Sequence, residues 1–99
     1  MEMQTKEQIK AELNKIFHPA INLSLMELGI LQDIDVWYDT VIVTFVFPFP
    51  NIPIADKLIE SVKNVVEKMD LRMQYIVRLM KTVEKEEFLR LEKEAWKGF

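Results

Sequence analysis

Thr5 followed three residues later by Gln8 is a capping-box signature, and Ile9, Leu13, Ile16 and Phe17 then fall on one helical stripe. The stripe stops at His18-Pro19, where the residue before a proline is pushed out of the helical region. Beyond the Leu23 to Gly29 turn region, Ile34, Val36 and Tyr38 alternate with Asp33, Asp35 and Asp39, which predicts a strand with one wet face. Val41 to Phe47 is β-branched and aromatic nearly throughout and predicts a second strand. With Asp39-Thr40 as a two-residue hairpin loop, Tyr38 faces Val41, Val36 faces Val43 and Ile34 faces Phe45, all toward the core.

Pro53 suits the first position of a second helix, where its missing N–H costs nothing, and Ile54, Leu58, Val62, Val65 and Met69 form its buried stripe. Arg72 to Leu79 alternates as a third strand with Met73, Tyr75, Val77 and Leu79 inward. A last helix, roughly Glu84 to Trp96, carries Phe88, Leu91 and Ala95 on one face and closes at Gly98. The order αββαβα predicts one α+β domain over residues 1–99, a three-stranded sheet with helices packed on one face. By the same pairing, Trp37 lies opposite Ile42, Asp35 opposite Thr44 and Asp33 opposite Val46 on the outer face, with Arg72, Gln74, Ile76 and Arg78 beside them. That face, with Trp37 and Ile42 at its centre, is either a partner-binding surface or a seat for the last helix.

Composition narrows the function classes. Ninety-nine residues, 49% hydrophobic with only two glycines, suffice for one core, small enough that self-association would add stability. A net charge of -3 with both signs interspersed leaves no electrostatic footprint for nucleic acid or an anionic membrane. No run of 18 apolar residues exists and the first ten residues are polar, so a cytoplasmic location is expected. With no cysteine there is no disulfide, no thiolate-held zinc and no iron–sulfur ligation by the chain's own sulfur. No cofactor or metal is expected. Ser24 and Ser61 are the only serines and no glycine-rich loop occurs, so neither a nucleophile with its base nor a nucleotide cradle can be assembled, and the chain is expected not to be an enzyme.

Single residues with chemical potential each have a structural alternative. His18 is a lone base or ligand, or a helix terminator whose cation would suit the C-terminal dipole. Asp33 and Asp35 share a side and offer two oxygen ligands to a hard cation, fewer than such ions take. Met69, Met73 and Met80 read as flexible core filler. The segment Pro48-Phe49-Pro50-Asn51-Ile52-Pro53 is the least routine: it is stiff, and Asn51 sits near the unpaired N–H groups of helix two. It either presents a docking site, with Phe49, Pro50, Asn51 and Ile52 as partner-binding residues, or forms a rigid connection whose Phe49 closes the core edge.

Two segments carry a family resemblance: His18-Pro19-Ala20-Ile21 running into Leu28-Gly29, and Pro48 to Pro53. The chain resembles the iron–sulfur cluster assembly accessory family, the SufT-like and PaaD-like small domains, over roughly residues 5 to 80. That family opens with Asp-Pro-Glu-Ile before a Leu-Gly turn and carries a Thr-x-Pro-x-Cys-Pro loop. Here His18 stands for the aspartate, Ala20 for the glutamate, Pro48 for the threonine and Ile52 for the cysteine. The resemblance implies a cysteine-less, non-catalytic interaction module that binds a client or partner subunit in the maturation of an iron–sulfur or oxygenase system. Its partners would be proteins, iron–sulfur assembly factors or clients among them; independently of the resemblance, Trp37, Ile42, Val46 and Ile76 on one side of the sheet predict self-association through the outer face. The alternative is a structural or regulatory homo-oligomer outside iron–sulfur biology.

Overall fold

A computed structural model describes residues 5–98 and contains α1 (Lys6–Leu13), β1 (Leu31–Trp37), β2 (Thr40–Phe47), α2 (Ala55–Lys68), β3 (Arg72–Leu79) and α3 (Thr82–Ala95). The order is αββαβα, and the three strands form one sheet in the order β1-β2-β3. β1 and β2 are antiparallel and joined by a tight loop, whereas β2 and β3 run parallel. A parallel pair needs a crossover, which α2 supplies. Leu58, Val62 and Val66, four residues apart along α2, are buried in one cluster with Val41, Val43, Phe45 and Phe47 of β2 and Ile9 and Leu13 of α1.

The N-terminal capping box is formed as expected: Thr5 Oγ1 accepts the Gln8 N–H at 3.1 Å and Gln8 Oε1 accepts the Thr5 N–H at 2.8 Å. The helix is shorter than the apolar stripe predicts. It ends at Leu13 with Asn14 as its C-cap, because Ile16 and Phe17 pair instead with the segment after the turn. Ile16 O accepts the Leu25 N–H, Phe17 bridges Ser24, and Ser24 Oγ donates to Asn14 Oδ1 at 2.8 Å. Tertiary hydrogen bonds overrode local periodicity here.

The hairpin loop lies one residue earlier than predicted, which moves the strand pairing by two residues. Tyr38 and Asp39 form the loop, so Trp37 pairs with Thr40, Val36 with Val41 and Asp35 with Ile42. Tyr38, expected in the core, is 72% exposed, adopts φ 55° and meets the Trp37 ring edge-on at 5.1 Å. A shift of two keeps Ile34 and Val36 on the core side, and a bulge then moves the residues before it to the other face: Asp33 and Ile34 together oppose Val43, with Asp33 at φ 52°, so that Leu31 pairs with Phe45. Leu31, Ile34 and Val36 thereby all reach the core, and Gln32 rather than Asp35 lies opposite Thr44.

On the outer face, Thr44 and Val46 are buried, contrary to an open face along the whole of β2. The first turn of α3 accounts for this. The Glu84 carboxylate accepts from Arg78 Nη1 at 2.8 Å and Nη2 at 2.9 Å, from Gln32 Nε2 at 3.1 Å and from the Lys81 N–H at 2.9 Å, spanning all three strands. Four residues on, Phe88 is buried in the core cluster. The far end of α3 is tied down by Asn22 N–H to Ala95 O at 2.8 Å and Lys97 N–H to Ala20 O at 3.1 Å. The helix therefore seats on one end of the outer face and leaves Trp37 67% exposed at the other.

Those donors, Arg78 first, then the Lys81 N–H and Gln32, hold the Glu84 carboxyl well below its ordinary value of 4.5. Because the folded value is the lower one, the stabilisation is complete above the ordinary value and is lost as pH falls below it. Glu84→Gln should melt below the parent at neutral pH, with the gap closing as both are acidified below 4.5. Thermal melts at a series of pH values check this; a gap that stays constant on acidification would exclude the carboxylate as its source.

Candidate functional site

β2 gives way at Pro48 to a loop that is stiffened by two prolines and turned at Asn51, whose φ of 57° lies in the left-handed region that Asn tolerates better than most residues. Ile52 O then accepts the Ala55 N–H at 3.1 Å, closing a turn with Pro53 at its second position and Ile54 (φ -93°, ψ 5°) at its third, the angles of a type I turn. α2 starts after this turn with Ile54 as its N-cap, so Pro53 is not its first residue and Ile52 lies two residues ahead of the cap. The same proline φ serves both geometries, and the pattern alone does not separate them. No side chain caps α2, and the Asp56 and Lys57 N–H groups find no acceptor among the described residues.

Phe49, Pro50, Asn51 and Ile52 line a groove of about 490 Å³ whose floor is Phe47, Val77 and Leu79 and whose far wall is Ile59 of α2. A second cleft of about 420 Å³ shares Asp56 and Ile59 with it and continues along α2 past Glu60, Lys63 and Glu67 to Tyr75. Together they form a trough between α2 and β3, apolar at the loop end and charged along the helix. Phe45, in the core beside it, meets Phe47 in a near-parallel stack at 6.2 Å and Tyr75 edge-on at 5.5 Å. The Lys85 ammonium lies 4.2 Å above the Phe49 ring, fastening the loop to α3; at an exposed ring such a contact contributes about 0.5–1 kcal/mol. Phe49 is thus a half-open rim residue and not a plug in the core edge.

The sequence-predicted residues fall into two places. The four loop residues converge on the trough, whereas Trp37 and Ile42 lie on the opposite face toward the hairpin end of β2, roughly 20 Å along the strand from Phe47. Val77, Leu79 and Ile59 were not among the candidates. Period-two alternation assigns Val77 and Leu79 correctly to the α2 side, but it does not say that α2 leaves that side uncovered. Asp56, Glu60, Lys63 and Glu67, at helical spacing, are the signal that this flank of α2 is wet.

His18 has a structural role. It is buried, and its Nδ1 accepts the Ala20 N–H at 3.0 Å, the bond an aspartate side chain makes two residues back in an Asx-turn. Burial and then Lys97 lower its pKa, so the neutral ring is favoured. α1 ends five residues earlier, at Leu13, so the expected pairing of a His18 cation with the helix dipole does not arise. Lys6 reaches Asp35 at 3.5 Å, and among the described residues no three His, Asp or Glu side chains converge as a metal site.

Comparison with known proteins gives a consistent picture. Residues 6–74 match the family described as iron-sulfur cluster assembly protein. A curated protein of Porphyromonas gingivalis named Fe-S protein maturation auxiliary factor is 37% identical over 68 residues, 68% of this chain; the chain spans 65% of that relative's length. The crystal structure of a domain of unknown function, DUF59, from Bacillus anthracis superposes with a TM-score of 0.68 at 18% identity, covering 90% of this chain and 88% of that one. The last likeness is one of fold.

Proposed function

Since the chain belongs to the iron-sulfur cluster assembly protein family, we propose that it is an auxiliary factor of iron–sulfur protein maturation that acts by binding a client or partner protein in the trough beside Phe49 to Ile52. The observation that carries this is the groove itself: an open, largely apolar site built around the loop in which the family resemblance places a cysteine and this chain has Ile52. Without cysteine the chain has no thiolate with which to carry a cluster or attack a substrate, so what the loop offers is shape, apolar surface and the open N–H groups of α2. The role is non-catalytic. The partners are proteins, assembly factors or clients, in the cytoplasm, and neither nucleic acid nor membrane is engaged; among the described residues no helix is long and apolar enough to cross a membrane.

Cells lacking the chain are expected to lose much of the activity of iron–sulfur enzymes whose protein levels are unchanged. The parent should restore it and Phe49→Glu should not, the circular dichroism of the purified variant confirming its fold. Enzymes that keep full activity without the chain would overturn the reading, and full rescue by Phe49→Glu would remove the groove from it. A second reading, a structural or regulatory homo-oligomer, draws on the exposed Trp37 and Ile42 of the outer face.

A further inference from the structure

The two edges of the sheet are built differently. β1 carries a bulge, two aspartates and a lysine reaching across from α1, devices that prevent another strand from adding to an edge. β3 has no bulge and no acidic residue, and its charges, Arg72 and Arg78, sit near its two ends. It runs eight residues in unbroken register with β2, with no proline or lysine, and Tyr75, Ile76, Val77 and Leu79 are 47, 64, 51 and 51% exposed. Consecutive strand residues point to opposite faces, so apolar surface is open on both sides of this edge.

The backbone is open as well. The Arg72 N–H donates to Asp39 O and the Met80 N–H to Phe47 O, so even-numbered residues of β3 direct their N–H and C=O groups toward β2. Met73, Tyr75, Val77 and Leu79 therefore direct theirs outward, along the free edge, where Leu79 O also accepts from Arg78 Nη1 at 3.3 Å.

We propose that this edge pairs antiparallel with β3 of a second copy of the chain, about a two-fold axis at Ile76, making one continuous sheet. The occupant is chosen by self-complementarity. Opposite residues of an antiparallel pair share a face, and outward-directed residues form its hydrogen-bonded pairs. Centring on Ile76 sets Tyr75 against Val77 and Met73 against Leu79 in such pairs, matching apolar with apolar, and sets Gln74 against Arg78. The neighbouring register centred on Tyr75 would set Arg72 directly against Arg78, a like-charge opposition that charge complementarity rejects. Arg78 is already paired with Glu84, which leaves it compatible with a neutral Gln74. The dimer also places the partner's Tyr75 beside Val77 and the partner's Met73 beside Leu79, completing the floor of each trough. This inference does not depend on the maturation role.

Because the chain has no cysteine, single-cysteine variants report the pairing directly. At the two-fold, Ile76 faces its own copy in a non-hydrogen-bonded pair with Cα atoms about 4.5 Å apart, within disulfide range. Ile76→Cys should cross-link almost fully under mild oxidation, and Gln74→Cys, whose mate is Arg78, should not. Trp37→Cys reports pairing through the outer face. Val77→Pro removes one outward N–H and no bond to β2, and should halve the mass measured by sedimentation at high micromolar concentration. Should that proline disturb the fold, Ile76→Lys, which sets two ammonium groups face to face, is expected to give the same halving. A parent that stays monomeric, cross-linking at Trp37→Cys but not at Ile76→Cys, or a dimer untouched by both β3 variants would each overturn the proposal. So would a monomer whose β3 edge binds only an added apolar peptide.

Discussion

Phe45→Ala is expected to lower the free energy of unfolding by about 3–5 kcal/mol. Phe45 is fully buried in the middle strand, between the stacked ring of Phe47 and the edge of Tyr75. Truncation removes the apolar transfer term and leaves a ring-sized void between two strands that are hydrogen-bonded into the sheet, so the site collapses little. Single domains of this size have only about 5–15 kcal/mol to lose. The variant should therefore unfold at a much lower urea midpoint with an unchanged slope, and melt about 15–30 °C below the parent. Phe45→Leu, which keeps most of the volume, should cost about 1–1.5 kcal/mol. A cost under about 1 kcal/mol for the alanine variant would mean that the central strand is not the packing centre of the fold.

Much of this architecture was legible in the chain. β3 has the limits the alternation predicts, the Thr5–Gln8 box is formed, and the αββαβα order follows from where apolar period changes between two and 3.6. The misses share a cause: each is a choice between nearly equal local options that distant residues decide. The turn Tyr38-Asp39 and the predicted Asp39-Thr40 are equally short, and no Asn-Gly or Asp-Gly pins either one. The bulge at Asp33 that moves the residues before it to the other face has no signature a single sequence displays. α1 stops at Leu13 because Asn14 and Ile16 are claimed by Ser24 and Leu25, and Val46 is buried because Glu84, some 40 residues on, folds over it.

The site was legible in part for the same reason. A loop with two prolines ahead of an amphipathic helix marks itself, and Phe49 to Ile52 do converge. Its partners Val77 and Leu79 carried the pattern of core residues, and only the distance between α2 and the β3 edge shows that they are open. His18 illustrates the opposite case. It departs from the aspartate that the family resemblance leads one to expect, yet its Nδ1 makes the same turn-closing bond to Ala20, so the fold tolerates the change while the charge is lost. Ile52 allows no such substitution of role, since nothing in an isoleucine replaces a thiolate.

Ile52→Cys should accordingly create a reactive thiol. The side chain at this position lines the groove, is only partly buried, and lies two residues before the N-cap of a helix whose Asp56 and Lys57 N–H groups find no partner among the described residues. Two effects oppose one another there. Partial burial beside Phe49 and Leu79 raises a thiol pKa, while the positive end of the helix and its free donors lower it. The groove is open to solvent, so desolvation is incomplete and the second effect wins, bringing the thiol below the free value of about 8.5. A drop of one unit raises the thiolate fraction at neutral pH from roughly 3% to about a quarter, and alkylation should be several-fold faster than at an exposed control such as Lys93→Cys. The fold should survive at a cost of about 1–2 kcal/mol, because only a little apolar volume is removed from a half-buried site. Alkylation rates across pH for the two variants decide the matter. A thiol at 52 that reacts only above pH 8, as the control does, or only once urea unfolds the chain, would make Ile52 a packing residue and detach the loop from the reactive site of its family.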